Sequence, residues 1–293
     1  MLVQVTLVTG LYIFIGNSGV ISFGHAAFAC LGDYVVAWTT IRPMMKKNAM
    51  PGLPDWLMSM EIGWWAAAGL AALWAGIFNA ILMRLSGIAA SIATFAMLAM
   101  VNAIYSNWSG VTGGTSSIVG IPIIRSVWPY LAVASLAVIL AWAYSISRDG
   151  LILRAARDEP TAARASGVDI PRARLIAFIL SGAVMGAGGA MRALSIGVVT
   201  PNSFYLGLTF TTLSMLVVGG MGSLSGAVLG VMILSSLIQM LRWLEAGVQI
   251  GTTTFALPGG VQEIGLGVVM ILILMFRPTG IMGNRELNLP WRR

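Results

Sequence analysis

The stretch "GNSGVISFGHAAFACLGDYVVAW", Gly16 to Trp38, joins four closely spaced glycines to a long apolar run. The whole chain is 58% hydrophobic and only 9% charged, whereas a soluble domain carries about 25% charged residues. Such a chain has too little polar surface to face water, so it is an integral membrane protein. In a membrane, broken backbone is tolerated only against protein or a wet cavity. The stretch therefore predicts a glycine-rich break that leads into a spanning helix.

Further apolar runs follow along the chain, and a spanning helix needs about 20 such residues. The predicted fold is an all-α polytopic bundle of about eight to nine transmembrane helices, some short or broken. No soluble appendage is visible, so residues 1–293 are predicted to form a single transmembrane domain. The predicted segments are Leu2–Ile15, Val20–Ile41, Ile62–Met83, Ile88–Trp108, Val127–Ser147, Leu175–Leu194, Phe204–Gly219, Leu224–Leu244 and Val261–Phe276.

The longest basic connection, residues 148–174, sets the orientation. It contains six arginines against four acids, and cytoplasmic loops carry the excess of Lys and Arg. We therefore place this loop in the cytoplasm, although Arg42, Lys46 and Lys47 then fall outside and argue against that orientation. The net charge of +7 lies mostly in short connections between apolar runs, which indicates membrane topology and no nucleic-acid partner.

An enzymatic alternative starts from Ser18 and His25. A serine nucleophile needs a base within about 2.6–3.2 Å, but seven helical residues separate the two side chains by roughly 10 Å. No phosphate-binding loop occurs, and one histidine with one cysteine cannot form an ordinary zinc site. We therefore predict no catalytic residue, no metal and no cofactor bound by this chain, with an intramembrane serine hydrolase as a remote alternative.

The cytoplasmic loop contains "RDEPTAARASGV", which is typical of a short helix. Pro160 suits a first helical turn, Asp158 and Glu159 suit the helix N-terminus, and Gly167 is a natural stop. The pattern alone leaves open whether this is a docking helix or a solvated connector.

The segment resembles the "EAA-x3-G" coupling motif of ABC importer permeases, with Thr161-Ala162-Ala163 and Gly167 in the matching places. The surrounding segments "SGVISFGHAAFACLGDY", "VTGGTSSIVGIP", "RAARDEPTAARASGVDIPRARLIAF" and "RPTGIMG" occur in the order seen in the branched-chain amino-acid permease family, in its LivM-type branch. The resemblance extends from about Gly16 to Gly283.

The resemblance implies a bacterial inner-membrane permease that is not itself an enzyme. Expected partners are a second homologous permease, two cytoplasmic ABC ATPase subunits that bind ATP and Mg²⁺, an extracytoplasmic solute-binding protein, and membrane lipid. The solute is expected to be a branched-chain or other amino acid, with urea, amides or aromatic acids as alternatives. The residues expected to couple the chain to the ATPase are Arg157, Asp158, Glu159, Ala163 and Gly167.

Other residues are expected to pack the helices or line the solute path: Gly24, His25 and Asp33. His25 matches the family's signature histidine and is expected to hydrogen-bond between helices, or else to line the path. Asp33 departs from the family, which usually has a small residue there. An acid in a span usually has a partner or a wet cavity, so we expect Asp33 to pair with a basic or polar group, possibly on the second permease.

On the outer face, two segments are expected to form the entrance or to contact the binding protein. The residues concerned are Thr112, Thr115, Asn202 and Ser203. Ordinary turn formation is the alternative for each. A further alternative function, an ion-coupled secondary transporter, would use Asp33 and Glu263 as coupling groups.

Overall fold

The structure is a computed structural model. It describes residues 1–41, 45–46, 50–54, 64–79, 82–245, 248–250, 253–255, 260–283 and 286. Arg42 and Lys47, two of the residues that argue against the predicted orientation, lie outside this range, as do parts of the predicted Ile62–Met83 span.

Twelve α-helices occur in the described residues, and we number them in chain order. They are α1 Leu2–Ser18, α2 His25–Thr40, α3 Trp64–Asn79, α4 Ile88–Asn107, α5 Ser109–Thr112, α6 Trp128–Ile146, α7 Arg148–Asp158, α8 Pro160–Ala165, α9 Ile170–Ile196, α10 Leu206–Gly219, α11 Leu224–Glu245 and α12 Val261–Phe276. Two 3₁₀ turns, Leu82–Arg84 and Pro201–Phe204, precede α4 and α10.

Five helical segments of the described chain are long and apolar enough to cross a membrane: Ile88–Asn107, Trp128–Ile146, Ile170–Ile196, Pro201–Gly219 and Leu224–Glu245. Three shorter apolar helices occur as well, at Leu2–Ser18, Trp65–Ile77 and Ile264–Phe276. The prediction of a multi-helix membrane protein is confirmed, while the number of eight to nine spans stays a prediction.

The all-α prediction did not include two short antiparallel strand pairs. Strands β1 (Ile118–Val119) and β2 (Val198–Val199) pair with each other, as do β3 (Val248–Ile250) and β4 (Thr253–Phe255). Strands of two or three residues are too short to show the alternation of apolar and polar residues that reveals a strand in a sequence.

Two predicted helix boundaries differ from the observed ones for local reasons. α2 begins at His25 instead of Val20, because Gly19 adopts a φ of +69° that ends α1 and residues 19–24 run outside the helices. α9 begins at Ile170 instead of Leu175, because the Asp169 side chain accepts a hydrogen bond from Arg172 N at 3.2 Å and caps the helix.

The described chain groups into two compact units, residues 2–212 and residues 213–293 with Met1. The prediction of one transmembrane domain stays a prediction. In the larger unit, α9 packs against α1, α2 and α3. It is 27 residues long and carries the run "SGAVMGAGGA" along its buried length.

The contacts of α9 depend on glycine, because the backbones approach too closely for a side chain. A Cβ atom on Gly32 of α2 would overlap the carbonyl of Gly186, and one on Gly189 would overlap the carbonyl of Ala29. A Cβ on Gly186 would collide with Ala71 of α3. Small residues are the usual means of close helix packing in membranes, and here they bring α2 and α3 onto α9.

The smaller unit is organised around a tight turn between α10 and α11. A Cβ on Gly219 would overlap the carbonyl of Gly226, and Ile281 N donates a hydrogen bond to Val218 O at 2.9 Å. Glu286 accepts hydrogen bonds from Leu224 N at 2.7 Å and Ser225 N at 3.4 Å, at the start of α11. Residues 219–222 therefore form a tight link between α10 and α11.

The Gly32→Ala substitution should disrupt the packing of α2 on α9. The added methyl group meets rigid backbone, and such overpacking costs about 1–3 kcal/mol or more. We expect a lower thermal midpoint and a lower yield of monodisperse protein in mild detergent, measured by size-exclusion chromatography with a fluorescent tag.

Gly69→Ala in α3 is the matched control, because nothing lies within 4 Å of its Cβ position. It gains the same helix propensity without the clash. Equal behaviour of the two variants would show that the close approach of α2 and α9 is not required.

Candidate functional site

The segment predicted to lie in the cytoplasm, residues 148–174, is built from two capped helices and the start of α9. The Ser147 hydroxyl accepts from Gly150 N at 3.3 Å and caps α7, and Glu159 accepts from Thr161 N at 3.4 Å and caps α8. α8 ends where Gly167 takes a φ of +81° and donates to Arg164 O at 2.9 Å. The predicted short helix and its glycine stop are thus present.

A small apolar cluster holds this segment together. Ala156 of α7, Ala163 of α8 and Ile170 of α9 are all buried and pack with the half-buried Val168. Ala163, which we expected at the ATPase contact, is only 7% exposed and faces its own chain. Its place in the cluster fixes α8 against α7 and α9.

Arg157 connects the segment to the glycine-rich stretch. Its Nη1 donates a hydrogen bond to Gly16 O at 2.8 Å, near the end of α1, and its aliphatic chain lies where a Cβ on Gly19 would be. It also contacts Asp158 at 3.3 Å, but that carboxylate is 72% exposed and such surface pairs contribute little. The contact with Gly16 is a hydrogen bond that ties residues 148–174 to α1.

The residues of the segment that remain available to a partner form what we call the α8 surface. Gly167 is exposed, and nothing lies within 4 Å of the position of its Cβ. The exposed members are Asp158, Glu159, Thr161, Ala162, Arg164 and Gly167. The α8 surface therefore offers mixed charge around a short helix.

His25 lies at the junction of three helices and is 1% exposed. Its ring is 5.4 Å from that of Phe14 on α1 and 4.8 Å from that of Phe178 on α9, centroid to centroid. Its Nδ1 is hydrogen-bonded to Ser22 Oγ at 2.8 Å, within the segment just before α2. The contacts of His25 between helices are thus aromatic, and its hydrogen bond is local.

The serine predicted for the hydrolase alternative is not paired with His25. Ser18 Oγ accepts from Val20 N at 3.2 Å. Ser22, which does contact His25, is 1% exposed and closed to a substrate.

At Gly24, the non-helical residues 19–24 are in close contact with α4. A Cβ on Gly24 would lie 2.6 Å from Thr94 O. Phe23 N donates to Thr94 Oγ1 at 3.3 Å, and Ser91 Oγ donates to Ile21 O at 2.6 Å. α4 therefore supplies the hydrogen-bond partners that a broken segment in a membrane needs.

Asp33 finds its basic partner within the same chain. Arg192 Nη1 of α9 lies 3.7 Å from Asp33 Oδ2, and the Asp33 side chain is fully buried. The Arg192 guanidinium also covers the ring of Phe204 at 4.5 Å, a favourable cation–π geometry. The acid that departs from the family is thus compensated by a nearby positive charge.

The two outer segments predicted for the entrance are brought together by the β1–β2 pair. Thr200 Oγ1 donates to Ser117 Oγ at 3.0 Å, next to the paired strands. Both residues were missed from the sequence, where nothing relates two polar side chains so far apart in the chain.

The four residues predicted to lie on the outer face differ in their exposure. Thr112 is fully buried and donates to Tyr105 O at 2.5 Å and Trp108 O at 2.7 Å, which is a role within the fold. Thr115, Asn202 and Ser203 are exposed and remain available to a partner.

Membrane-spanning helices, a glycine-broken connection and a folded pair of short helices between spans are features of a multi-pass membrane permease. The chain belongs to the family described as branched-chain amino acid transport system, permease component, whose profile matches residues 2–275. The resemblance drawn from the sequence motifs is confirmed.

Three curated relatives illustrate the family. The chain is 30% identical over 229 residues to the autoinducer 2 import system permease protein LsrC of Enterobacter sp. (strain 638), covering 74% of this chain and 63% of LsrC. It is 25% identical over 321 residues to the high-affinity branched-chain amino acid transport system permease protein LivM of Escherichia coli (strain K12), covering 96% and 68%. It is 29% identical over 134 residues to the probable branched-chain amino acid transport permease protein LivH of Methanocaldococcus jannaschii, covering 46% and 40%.

The chain spans about two thirds of the length of LsrC and of LivM. No solved structure matches it.

Removing one partner of the Asp33–Arg192 pair should be more harmful than removing both. Arg192→Met leaves the buried Asp33 uncompensated, which costs about 3–5 kcal/mol in comparable cases. We expect Asp33→Ala and Arg192→Met each to lower the thermal midpoint, and the double variant to recover a large part of the loss.

Arg125→Met, at an exposed arginine, serves as the control and should be neutral. Strictly additive losses in the Asp33–Arg192 cycle would mean that the two charges do not interact.

Proposed function

We propose that the chain is a transmembrane permease subunit of an ABC importer in the bacterial inner membrane. With a second permease it would form the path for ATP-driven uptake of a small solute. The observation that carries the proposal is the α8 surface, which is exposed while its helix is anchored to α7 and α9, and α7 in turn to α1. Two cytoplasmic ATPase subunits, which would bind ATP and Mg²⁺, are the partners that this surface would meet.

Transmission of movement follows from the anchoring contacts. A push on α8 would reach α9 through the cluster of Ala156, Ala163 and Ile170, and α1 through the hydrogen bond from Arg157 to Gly16 O. The chain itself would carry out no bond-making step. Its contribution is to convert closure of the ATPase pair into a movement of the helices around the path.

The outer surface would receive an extracytoplasmic solute-binding protein. Thr115, Asn202 and Ser203 are exposed near the β1–β2 pair, and polar exposed side chains suit a transient contact. The Asp33–Arg192 contact also bears on the secondary-transporter alternative, since an acid held next to an arginine is poorly placed to exchange a coupling ion.

Amino acids, branched-chain ones first, are the proposed solutes. LivM and LivH are named for the transport of branched-chain amino acids, whereas LsrC is named for the import of autoinducer 2. Urea, amides and aromatic acids are kept as alternatives, because selection would rest largely with the binding protein.

Purification of the tagged chain from its native membrane tests the assembly. We expect a second permease and ATPases with a phosphate-binding loop to accompany it. Gly167→Trp should lose the ATPases, because it adds a bulky ring at the centre of the α8 surface. Recovery of the folded chain alone, with no permease or ATPase, would contradict the proposal.

Gly167→Asn is the matched control. Asn tolerates the left-handed backbone conformation better than other residues with a side chain, and there is space for it. It should retain the ATPases. Loss in both variants together with a lower thermal midpoint would point to a damaged backbone turn, whereas retention in both would exclude Gly167 from the contact.

Arg157→Gln should separate ATP hydrolysis from transport. The variant keeps the exposed α8 surface but loses the charged donor to Gly16 O. We expect the ATPases to remain bound and to hydrolyse ATP while uptake of radiolabelled leucine into proteoliposomes falls several-fold. Arg148→Gln, at an exposed arginine of the same segment, should leave both activities unchanged. Unchanged coupling in Arg157→Gln would show that the contact with Gly16 transmits nothing.

A further inference from the structure

The outer half of α11 combines polar and exposed side chains at membrane depth. The helix has 22 residues and is therefore about 33 Å long, close to the thickness of the hydrocarbon core. Ser235 and Ser236 lie at its middle, and Gln239 lies one turn further towards Glu245. On the predicted orientation, that end faces outward.

These polar side chains share one side of the helix with large amphipathic ones. Ser236 and Gln239 are exposed, as are Met240 at 54% and Trp243 at 62%. Ser235 is partly buried, yet its hydroxyl has no hydrogen-bond partner in the described part of the chain. Together with Met1, the five side chains line an open cleft of about 640 Å³, a size typical of small-ligand sites, which span about 300–1,000 Å³.

Packing within the smaller unit does not cover this side. α12 meets α11 at Leu241, where a Cβ on Gly265 would lie 2.6 Å from Leu241 Cδ1. Leu241 is two residues from both Gln239 and Trp243 and so lies on the opposite side of the helix from them. The glycines that bring α11 close to α10, Gly226 and Gly230, belong to its inner half.

Lipid is an unsuitable neighbour for this side, because the Gln239 amide and the Ser235 hydroxyl, without partners among the described residues, would be costly in hydrocarbon, whereas the Ser236 hydroxyl donates to Met232 O at 2.8 Å. A second helix packed tightly here would require small residues, but Met240 and Trp243 are large. A water-filled path meets both requirements. Water hydrates the Gln239 amide and the serine hydroxyls, and the path leaves room for the large side chains of Met240 and Trp243.

We propose that the face of α11 formed by Ser235, Ser236, Gln239, Met240 and Trp243 lines a water-filled solute path through the outer half of the membrane. This rests on the proposed function as a permease. Between Leu224 and Leu241 the helix has no ionisable residue, so this part of the wall suits an uncharged or zwitterionic solute, and the exposed Arg242 lies beside Trp243 at its outer end. Ser and Gln hydrogen-bond its polar group, while Met240 and Trp243 contact its apolar part.

Thiol accessibility tests the path without knowledge of the solute. Cys30 is the only cysteine and is buried, so Cys30→Ala gives a cysteine-free background. Into it we would place Ser236→Cys, Gln239→Cys or Val268→Cys. Val268, an exposed apolar residue in the middle of α12, is the control for a side chain that faces lipid. The native membranes, with all partners present, are treated with membrane-impermeant methanethiosulfonates, one anionic and one cationic.

We expect the thiols at positions 236 and 239 to react at least about tenfold faster than the thiol at 268, because only a hydrated thiol ionises to the reactive thiolate. At position 236 the two reagents should react at rates within about threefold of each other, since the helix there adds no strong attraction for either sign, whereas position 239 lies one turn from Arg242 and should favour the anionic reagent. Ser236→Cys is a nearly isosteric change, so it still tests the proposal if Gln239→Cys fails to fold.

Slow reaction at 236 and 239 would overturn the proposal. Fast reaction at position 236 with a strong preference for one reagent charge would overturn the assignment of the solute class. None of these outcomes depends on ATPase binding, so failure of the importer proposal would be seen separately, as loss of the co-purifying subunits.

Discussion

The structure of the larger unit depends on the close approach of α9 to the backbones of α2 and α3. Gly32, Gly186 and Gly189 leave no room for side chains at these crossings. In a membrane, apolar side chains gain little by leaving lipid for protein, so dense packing of small residues carries much of the association. Close contact also makes the group stiff, since neither helix can tilt far without collision or loss of contact.

Because this group of helices is stiff, a movement of residues 148–174 would be transmitted along α9. α9 starts at Ile170, in the same apolar cluster that holds α7 and α8, and it runs 27 residues to Ile196, about 40 Å away. Near its far end Arg192 contacts Asp33, and the β1–β2 pair follows directly. One continuous helix thus joins the α8 surface to the outer segments, and Arg157 adds a second connection through Gly16.

The features that depend on residues close together in the sequence could be predicted. Apolar runs of suitable length predicted the spans, and Pro160 with Gly167 predicted α8 because first-turn proline and terminal glycine act within one turn. The direction in which Ala163 points was not predictable, since a helix of six residues is too short to show a buried face. The start of α2 was missed because the positive φ of Gly19 depends on its surroundings.

Contacts between residues that are far apart in the chain could not be predicted from the sequence. Arg157 and Gly16 are 141 residues apart, and the donor was expected to face another protein. An acid in a span predicted some partner for Asp33, yet only the packing of α2 on α9 shows that the partner is Arg192. The family resemblance was of no help there, because the family usually has a small residue at this position.

The rigid connection between α8 and the outer end of α9 can be measured directly by electron paramagnetic resonance. Spin labels would be placed at Ala165 of α8 and at Ser195 near the far end of α9, both exposed, in the Cys30→Ala background of the assembled transporter. If α8 and α9 move as one body, the distance distribution between the labels should be the same without nucleotide and with ATP trapped by vanadate. A shift of the main distance on trapping would show that the cytoplasmic segment moves relative to α9 and would contradict the rigid connection.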